Sequence, residues 1–289
     1  MALGAIPVND ICNRIDRTER APGSEGAALK FIRLVYGLAA YLLFLGTFLY
    51  AIGFVGNLGV SRSLDSPGTG PWLRARLIDV GLLSLFALQH SGMARVAFKK
   101  RITRIISQTI ERSTFVLASS LTLLAVFAFW QPLGGVIWSV ENAAGRRLLQ
   151  AACACGWGIV LVTTFLINHF ELFGLQQVWR DLRGHPKSRP AFVTPLLYRL
   201  VRHPLYAGFL LAFWCTPTMT AAHLLFALMT TAYILAGIQF EERDLLRAHP
   251  QYKSYRDHVP MLIPTTLGAV RAALRGGLSK ERAAGDHTG

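Results

Sequence analysis

The sequence has few charged residues for its length. Of its 289 residues, 52% are hydrophobic and only 16% are charged, whereas charged residues make up about a quarter of a typical soluble protein. The apolar residues also occur in long runs without a charge, which is typical of segments that cross a lipid bilayer. The composition therefore argues against a soluble globular protein and favours an integral membrane protein.

Cysteine is also scarce, and its spacing excludes two common kinds of cross-link. The four cysteines are Cys12, Cys153, Cys155 and Cys215, which fit neither a disulfide framework nor a zinc site. Cys153 and Cys155 lie two positions apart in an apolar run, so a helix directs them to different faces. We therefore expect these cysteines to serve packing, and we expect no metal site.

Five apolar stretches predict the membrane segments, namely residues 34–60, 77–94, 113–140, 148–170 and 203–240. As one helix, the last stretch would extend about 57 Å, whereas the hydrocarbon core is only about 30 Å thick. We predict that it folds back near Pro217 into a short helix over 206–216 and a longer one over 221–241. The predicted fold class is therefore all-α, a polytopic transmembrane bundle of five to six segments, the last two a helical hairpin. The short arm fits both five and a half helices and six.

The basic residues are distributed asymmetrically. The net charge is +14, and the segments separated by the predicted spans carry 5, 3, 6, 2, 6 and 8 Lys and Arg residues in chain order. Because the last stretch folds back, the first, third, fifth and sixth segments lie on one side and carry 25 of the 30, which by the positive-inside rule places both termini in the cytoplasm. Basic residues in such short loops favour contacts with anionic membrane lipid over nucleic acid.

The two ends of the chain differ from the membrane region. The first 30 residues lack an apolar stretch, so we expect no cleavable signal peptide. We assign residues 1–29 to a cytoplasmic arm, residues 30–268 to the transmembrane domain, and residues 269–289 to a loosely ordered tail.

Several polar groups occur where a bilayer makes them costly. His90 follows Gln89 late in the second span, and His169 lies between Asn168 and Glu171 at the end of the fourth. These groups fall at a similar depth near the cytoplasm and could converge on one cavity. A single histidine near a helix end is more often a hydrogen-bonded structural residue, and this is how we interpret His223 near the outer turn.

The C-terminal third carries a specific pattern. Residues 202–208 read Arg-His-Pro-Leu-Tyr-Ala-Gly and precede the apolar hairpin; Glu241–Glu242 follow it, and Tyr252 and Tyr255 come before Pro260. This pattern resembles the isoprenylcysteine carboxyl methyltransferase and phospholipid methyltransferase-like membrane superfamily. The resemblance implies methyl transfer from S-adenosylmethionine.

Within that superfamily, residues 30–265 most resemble the methanethiol S-methyltransferases of the NnrU-like branch, notably at 88–91, 168–175 and 214–220. The resemblance implies that methanethiol is methylated to dimethyl sulfide at the bacterial inner (cytoplasmic) membrane. Carboxyl methyltransferases carry an arginine shortly before the Glu-Glu pair, whereas residues 235–240 contain none. This departure disfavours an anionic acceptor and favours a small thiol.

The resemblance also suggests roles for individual residues, with the cofactor-binding part at about 171–264. The expected cofactor-binding residues are Gln176, Gln177, Tyr198, Arg202, His203, Tyr206, Glu241 and Glu242. For proton removal from the thiol, depth in the membrane and residue type, and not the resemblance, make His90 and His169 the candidates, with Tyr206 or Glu171 as relay. The alternatives are a lipid or prenyl-cysteine methyltransferase, and a non-enzymatic NnrU-like protein that binds haem or a metal.

Overall fold

The computed structural model describes residues 26–68, 70–185 and 194–264. Within these ranges the helices are α1 (Ala27–Gly56), α2 (Trp72–Ala94), α3 (Val96–Ile102), α4 (Gln108–Phe129), α5 (Ala143–Leu166), α6 (His169–Leu172), α7 (Leu175–Arg183), α8 (Pro204–Trp214), α9 (Ala221–Ala248) and α10 (Tyr252–His258). A 3-10 turn covers Leu196–Arg199, and two short strands, β1 (Val136–Ser139) and β2 (Thr218–Thr220), pair with each other. Cys12, most of the arm assigned to 1–29 and the tail at 269–289 lie outside the described residues.

Five of these helices, α1, α2, α4, α5 and α9, are long and apolar enough to cross a membrane. Many of their large apolar side chains face outward, as expected of helices that lie against lipid. The chain is a multi-pass membrane protein, and the predicted all-α fold is confirmed.

The third predicted span ends earlier than its apolar composition suggests. The charge-free stretch 113–140 continues past the end of α4 at Phe129, where Pro132 and Gly134–Gly135 follow. Proline lacks the backbone donor that a helix needs, and glycine disfavours its interior. Residues 136–139 consequently form β1.

The predicted fold-back of the last stretch is confirmed, although its first arm is only partly helical. The 11 residues of α8 extend about 16 Å, and residues 215–220 continue in a mostly extended conformation that adds roughly 20 Å. Together they match the roughly 33 Å of α9 between Thr220 and Glu242. The chain thus crosses the bundle a sixth time, half as a helix and half as an extended segment.

Hydrogen bonds from β1 satisfy the extended half of this crossing. The strands pair antiparallel, with Ser139 opposite Thr218, and Val140 N donates to Pro217 O at 2.9 Å. The Trp138 indole donates to Thr216 O at 3.3 Å. Non-helical backbone at membrane depth is tolerated where protein covers it, and β1 supplies that cover.

The bundle has two ends, which we call the strand end, with β1 and β2, and the glutamate end, with Glu241 and Glu242. Helix α8 runs against α5, with Gly156 facing Gly208. A Cβ on Gly156 would lie 2.7 Å from Gly208 O, and one on Gly208 would lie 2.8 Å from Gly156 O. Only glycine permits this close crossing, which is typical of membrane helices and fixes α8 beside the cavity described below.

A buried contact between an aspartate and a histidine closes the strand end. Asp65, in the loop after α1, accepts hydrogen bonds from Asn57 Nδ2 (2.6 Å) and Thr220 Oγ1 (2.6 Å) and lies 2.9 Å from His223 Nδ1. His223 Nε2 lies 2.9 Å from Phe213 O. Each ring nitrogen therefore has an acceptor beside it, and His223 joins the loop after α1 to α8 and α9. Its predicted structural role agrees with these contacts.

Candidate active site

The motifs of the C-terminal third form one cluster at the glutamate end. Arg202 Nε donates to Glu242 Oε1 at 2.8 Å, and His203 Nε2 lies 3.0 Å from the same oxygen. Arg202 Nη1 also donates to the carbonyls of Arg256 (3.0 Å) and Val259 (2.6 Å). The start of α8, the end of α9 and the segment after α10 are thereby joined.

The Arg202 guanidinium retains donors for a ligand. Three of its five N–H groups are used by Glu242 and the two carbonyls. Within the described ranges, no hydrogen bond occupies Nη2. The arrangement therefore fits an added carboxylate, which guanidinium groups bind through paired donors.

Glu241, the neighbour of Glu242, is paired with a tyrosine. Tyr206 Oη donates to Glu241 Oε2 at 2.8 Å, and the two residues are only 2% and 5% exposed. Helix α9 continues two turns beyond Glu241 to Ala248, so burial and not the helix end is what makes a donor or a cation beside this carboxylate favourable. An ammonium group fits the same position.

Three tyrosines, Tyr198, Tyr252 and Tyr255, lie close to this cluster. Tyr255 Oη donates to Tyr198 O at 2.5 Å, and the rings of Tyr252 and Tyr255 lie 5.7 Å apart. Burial is the main cause that raises the pKa of all three phenols. They therefore stay protonated near neutral pH.

A second polar group lies on α6 and α7. The Asn168 amide donates to Glu171 Oε2 at 3.0 Å and to Gln176 Oε1 at 2.7 Å. Gln177 Nε2 donates to Glu171 O at 3.0 Å, while Gln177 Oε1 is buried and has no partner within the described part of the chain. This group consequently offers one unused acceptor, which suits an amino or hydroxyl donor of a ligand.

His169 links three segments through both ring nitrogens. Thr164 Oγ1 donates to Leu161 O, so it accepts from His169 Nδ1 at 2.8 Å. His169 Nε2 then accepts from Tyr41 Oη at 2.9 Å, and the ring stacks on Phe165 at 4.4 Å. Burial lowers the pKa of His169, so the imidazole is neutral. These contacts fix its position and occupy both nitrogens.

A cavity of about 250 Å³ lies inside the bundle. Residues from α1, α2, α4, α5, α8 and α9 line it, and most of them are aromatic or aliphatic. Its polar lining includes His90, Ser119, Tyr206, Thr230 and Tyr233. Because Tyr206 also bonds Glu241, the cavity and the glutamate-end cluster share a wall.

His90 is the histidine that lines this cavity. Its Nδ1 lies 3.1 Å from Ser119 Oγ, whereas its Nε2 is buried and has no partner among the described residues. Nearby, Ser91 and Tyr233 share a hydrogen bond of 3.1 Å. A buried nitrogen without a partner is costly, which makes His90 Nε2 the better placed of the two histidines to meet a ligand. His169 is not part of the described cavity lining.

The sequence did not point to Ser119, Tyr233 or Asp65. Ser119 and Tyr233 lie in charge-free stretches, and their polarity was the available signal. Asp65 lies in a loop, where a carboxylate is ordinary. Their partners come from helices distant in sequence, as for His90 with Ser119 and Asp65 with His223.

Several known proteins are similar to this chain over most of its length. The family described as "Protein of unknown function (DUF1295)" matches residues 96–259. A methanethiol S-methyltransferase of Crocosphaera subtropica is 53% identical over 232 residues, which are 80% of this chain and 91% of that protein. The chain belongs to the methanethiol S-methyltransferase family. Relatives of the same name from Pseudomonas sp. and Mycobacterium tuberculosis are each 50% identical over 236 residues, covering 91% and 97% of their lengths. No solved structure matches the chain significantly.

Membership of the methanethiol S-methyltransferase family confirms the predicted relationship and class of activity. The chain is an integral membrane methyltransferase, and its described part agrees with that class in having five helices able to cross a membrane. A methyltransferase requires a methyl donor.

Proposed function

We propose that this member of the methanethiol S-methyltransferase family transfers a methyl group from S-adenosylmethionine to methanethiol, giving dimethyl sulfide. The observation that carries the proposal is the shared wall formed by Tyr206. Its ring lines the cavity with His90, and its hydroxyl donates to Glu241 in the glutamate-end cluster. A donor site and an acceptor site can therefore meet at one residue. The names of the similar proteins support this choice of acceptor.

The glutamate-end cluster has the groups that the proposed methyl donor requires. S-adenosylmethionine, when bound, supplies an electrophilic methyl on a sulfonium, together with an amino acid end and an adenosine. Arg202, through Nη2, would hold the carboxylate, and Glu241 or Glu242 the ammonium. His203 holds Glu242 in position.

The other cofactor-binding candidates suit the adenosine end. Gln177 Oε1 is a buried acceptor with no partner among the described residues, and it would receive an adenine amino or ribose hydroxyl donor. Gln176 keeps Asn168 beside this group, and Tyr198 would line the adenine site.

The acceptor thiol would lie at the His90 and Tyr206 end of the cavity. A thiolate is the nucleophile that sulfur methylation needs, and His90 Nε2 would accept the thiol proton. Ser119 holds the imidazole through Nδ1. The apolar lining excludes water and favours a reaction in which a thiolate and a sulfonium neutralise each other. Glu171 and His169 would then support the site from α6 without touching the thiol.

The proposed membrane orientation places the glutamate end in the cytoplasm. Arg33 on α1 pairs with Asp181 on α7 at this end, and the segments rich in Lys and Arg lie there too. The positive-inside rule then places both termini on the cytoplasmic side of a bacterial inner membrane, where S-adenosylmethionine would reach the cluster. Basic residues at this face would contact anionic lipid.

The proposal is tested with the full chain purified into lipid nanodiscs. Methyl-labelled S-adenosylmethionine is supplied with methanethiol, and headspace dimethyl sulfide and lipid-extracted label are measured separately. We expect the label in dimethyl sulfide. Label found only in lipid would support the lipid methyltransferase alternative, and no label in either product would overturn the proposal.

A further inference from the structure

The cavity is larger than methanethiol requires. Methanethiol has two non-hydrogen atoms, whereas the cavity measures about 250 Å³. An apolar cavity of about 150 Å³ suffices to bind benzene. A single methanethiol would leave most of this space empty, so the size of the cavity fits a longer acceptor.

The cavity is elongated along the axis of the bundle. On α1 its lining runs from Phe44 to Val55, and on α4 from Phe115 to Phe127. These separations of eleven and twelve residues correspond to about 16–18 Å of helix. A volume of about 250 Å³ spread over such a length leaves a narrow channel, whose shape fits one unbranched chain better than a bulky ring system.

The polarity of the channel changes along its length. His90 and Tyr206 lie in the half nearer the glutamate end, whereas Val55, Leu83 and Phe127 line the half nearer the strand end. A thiol group at His90 would therefore have its carbon chain directed toward apolar side chains. Burial of that chain contributes roughly 0.8 kcal/mol per methylene group.

The described lining also selects against charged thiols. It includes no Lys, Arg, Asp or Glu side chain. A charged group buried without a partner is strongly disfavoured, so glutathione and cysteine do not fit this channel. Apolar thiols also concentrate in the bilayer around the protein.

We propose that unbranched alkanethiols of several carbons, such as 1-butanethiol, bind in this channel and are methylated to the corresponding methyl thioethers. This inference rests on the proposed function. In the reaction the thiol proton moves to His90 Nε2, and the sulfur forms a bond to the methyl carbon. The bond between that carbon and the sulfonium sulfur breaks, its electron pair stays on the departing sulfur, and S-adenosylhomocysteine is released.

The test compares methanethiol, 1-butanethiol and glutathione as acceptors for the full chain in nanodiscs. We expect both alkanethiols to be methylated and glutathione not to be. Methylation of methanethiol alone would overturn this inference and leave the proposed function standing. Methylation of none would instead overturn the proposed function.

Two variants test where the carbon chain of the thiol lies in the channel. Ala51→Leu adds bulk to the apolar half, so we expect it to lower the rate with 1-butanethiol at least tenfold relative to that with methanethiol. Ala39→Leu is the matched control, because Ala39 lies on the same helix with an exposed side chain, and we expect its rate ratio to equal that of the wild type. An equal loss with both thiols in Ala51→Leu would contradict the placement.

A complementary variant and a binding measurement complete the test. If Ala51→Leu does not fold, Leu83→Ala replaces it. This variant widens the same half of the channel, so we expect a higher ratio of the rate with 1-butanethiol to the rate with methanethiol. An unchanged ratio would contradict the inference. Butyl methyl sulfide binding without methyl donor, followed by tryptophan fluorescence, gives a readout independent of turnover, because Trp157 lines the cavity. We expect saturable binding that Ala51→Leu weakens; an absence of saturable binding to the wild type would overturn the inference.

Discussion

Tyr206 on α8 donates a hydrogen bond of 2.8 Å to Glu241 on α9, with both residues almost fully buried. The same tyrosine lines the cavity that contains His90. This pairing joins the polar cluster at the glutamate end to the apolar interior of the bundle.

Replacing Tyr206 with phenylalanine keeps the ring and removes the donor to Glu241. A buried acceptor that loses its partner costs about 1–3 kcal/mol, so we expect lower thermal stability and a lower turnover number. Both are measured on the purified protein, by thermal unfolding and by dimethyl sulfide formation. The control is Tyr36→Phe, whose hydroxyl bonds Thr114; equal effects in the two variants would contradict the assigned role of Tyr206.

The proposed cofactor site depends on the shape of Arg202 and not only on its charge. Arg202→Lys keeps one positive charge but cannot reproduce the fork that meets Glu242 and the carbonyls of Arg256 and Val259. We expect the Kd for S-adenosylhomocysteine to rise at least tenfold, as measured by isothermal titration calorimetry. In the control Arg243→Lys, at an exposed position, the affinity should be unchanged. Full affinity in Arg202→Lys would remove Arg202 from the site.

His169 should stabilise the fold and make the free energy of unfolding depend on pH. Burial lowers the pKa of His169 in the folded protein. Its contribution to the free energy of unfolding is therefore fully present above the unfolded pKa of about 6.5, and it is lost as the pH falls from that value through the lower folded pKa. In His169→Gln we expect a lower free energy of unfolding at pH 8 and a smaller further loss between pH 7 and pH 5 than in the wild type. Unfolding of both proteins is followed across this range. If the free energies of unfolding of the two proteins changed in parallel with pH, this role of His169 would be contradicted.

Asp65 should stabilise the strand end without serving the cofactor. Burial raises the pKa of Asp65, but the hydrogen bond and electrostatic attraction of His223, together with hydrogen bonds from Thr220 and Asn57, outweigh it, and the pKa is lowered. Asp65→Asn removes the carboxylate beside His223, and breaking a buried pair of this kind costs about 3–5 kcal/mol. We expect a large drop in thermal stability and an unchanged Kd for S-adenosylhomocysteine at a temperature where the variant is folded. Asp244→Asn, more than a third exposed in its pair with Arg247, is the control and should change little.

The sequence predicted the spans and the fold-back because apolar runs and a proline act locally. It also predicted that residues near 202–206 and 241–242 belong together, and antiparallel α8 and α9 place them in contact. The helical conformation could not be predicted to stop at Trp214, since the extended residues after it depend on β1 from a distant part of the chain.

The two candidate histidines show another limit of sequence reasoning. His90 and His169 occupy similar depths and have similar neighbours in the sequence. Their difference lies in partners from other helices, with Tyr41 and Thr164 occupying both nitrogens of His169 while Nε2 of His90 is left beside the cavity. Such partners follow from packing and not from local sequence. The catalytic and cofactor-binding roles themselves stay predictions.

The most direct test of the account is the effect of His90→Gln on turnover and on cofactor binding, measured in the same nanodisc preparation. We expect the Kd for S-adenosylhomocysteine to remain within about twofold of the wild type, while dimethyl sulfide formation falls at least a hundredfold, in the range of about 10²–10⁴ typical of general acid–base catalysis. Undiminished dimethyl sulfide formation by His90→Gln would contradict the role of His90 as the acceptor of the thiol proton.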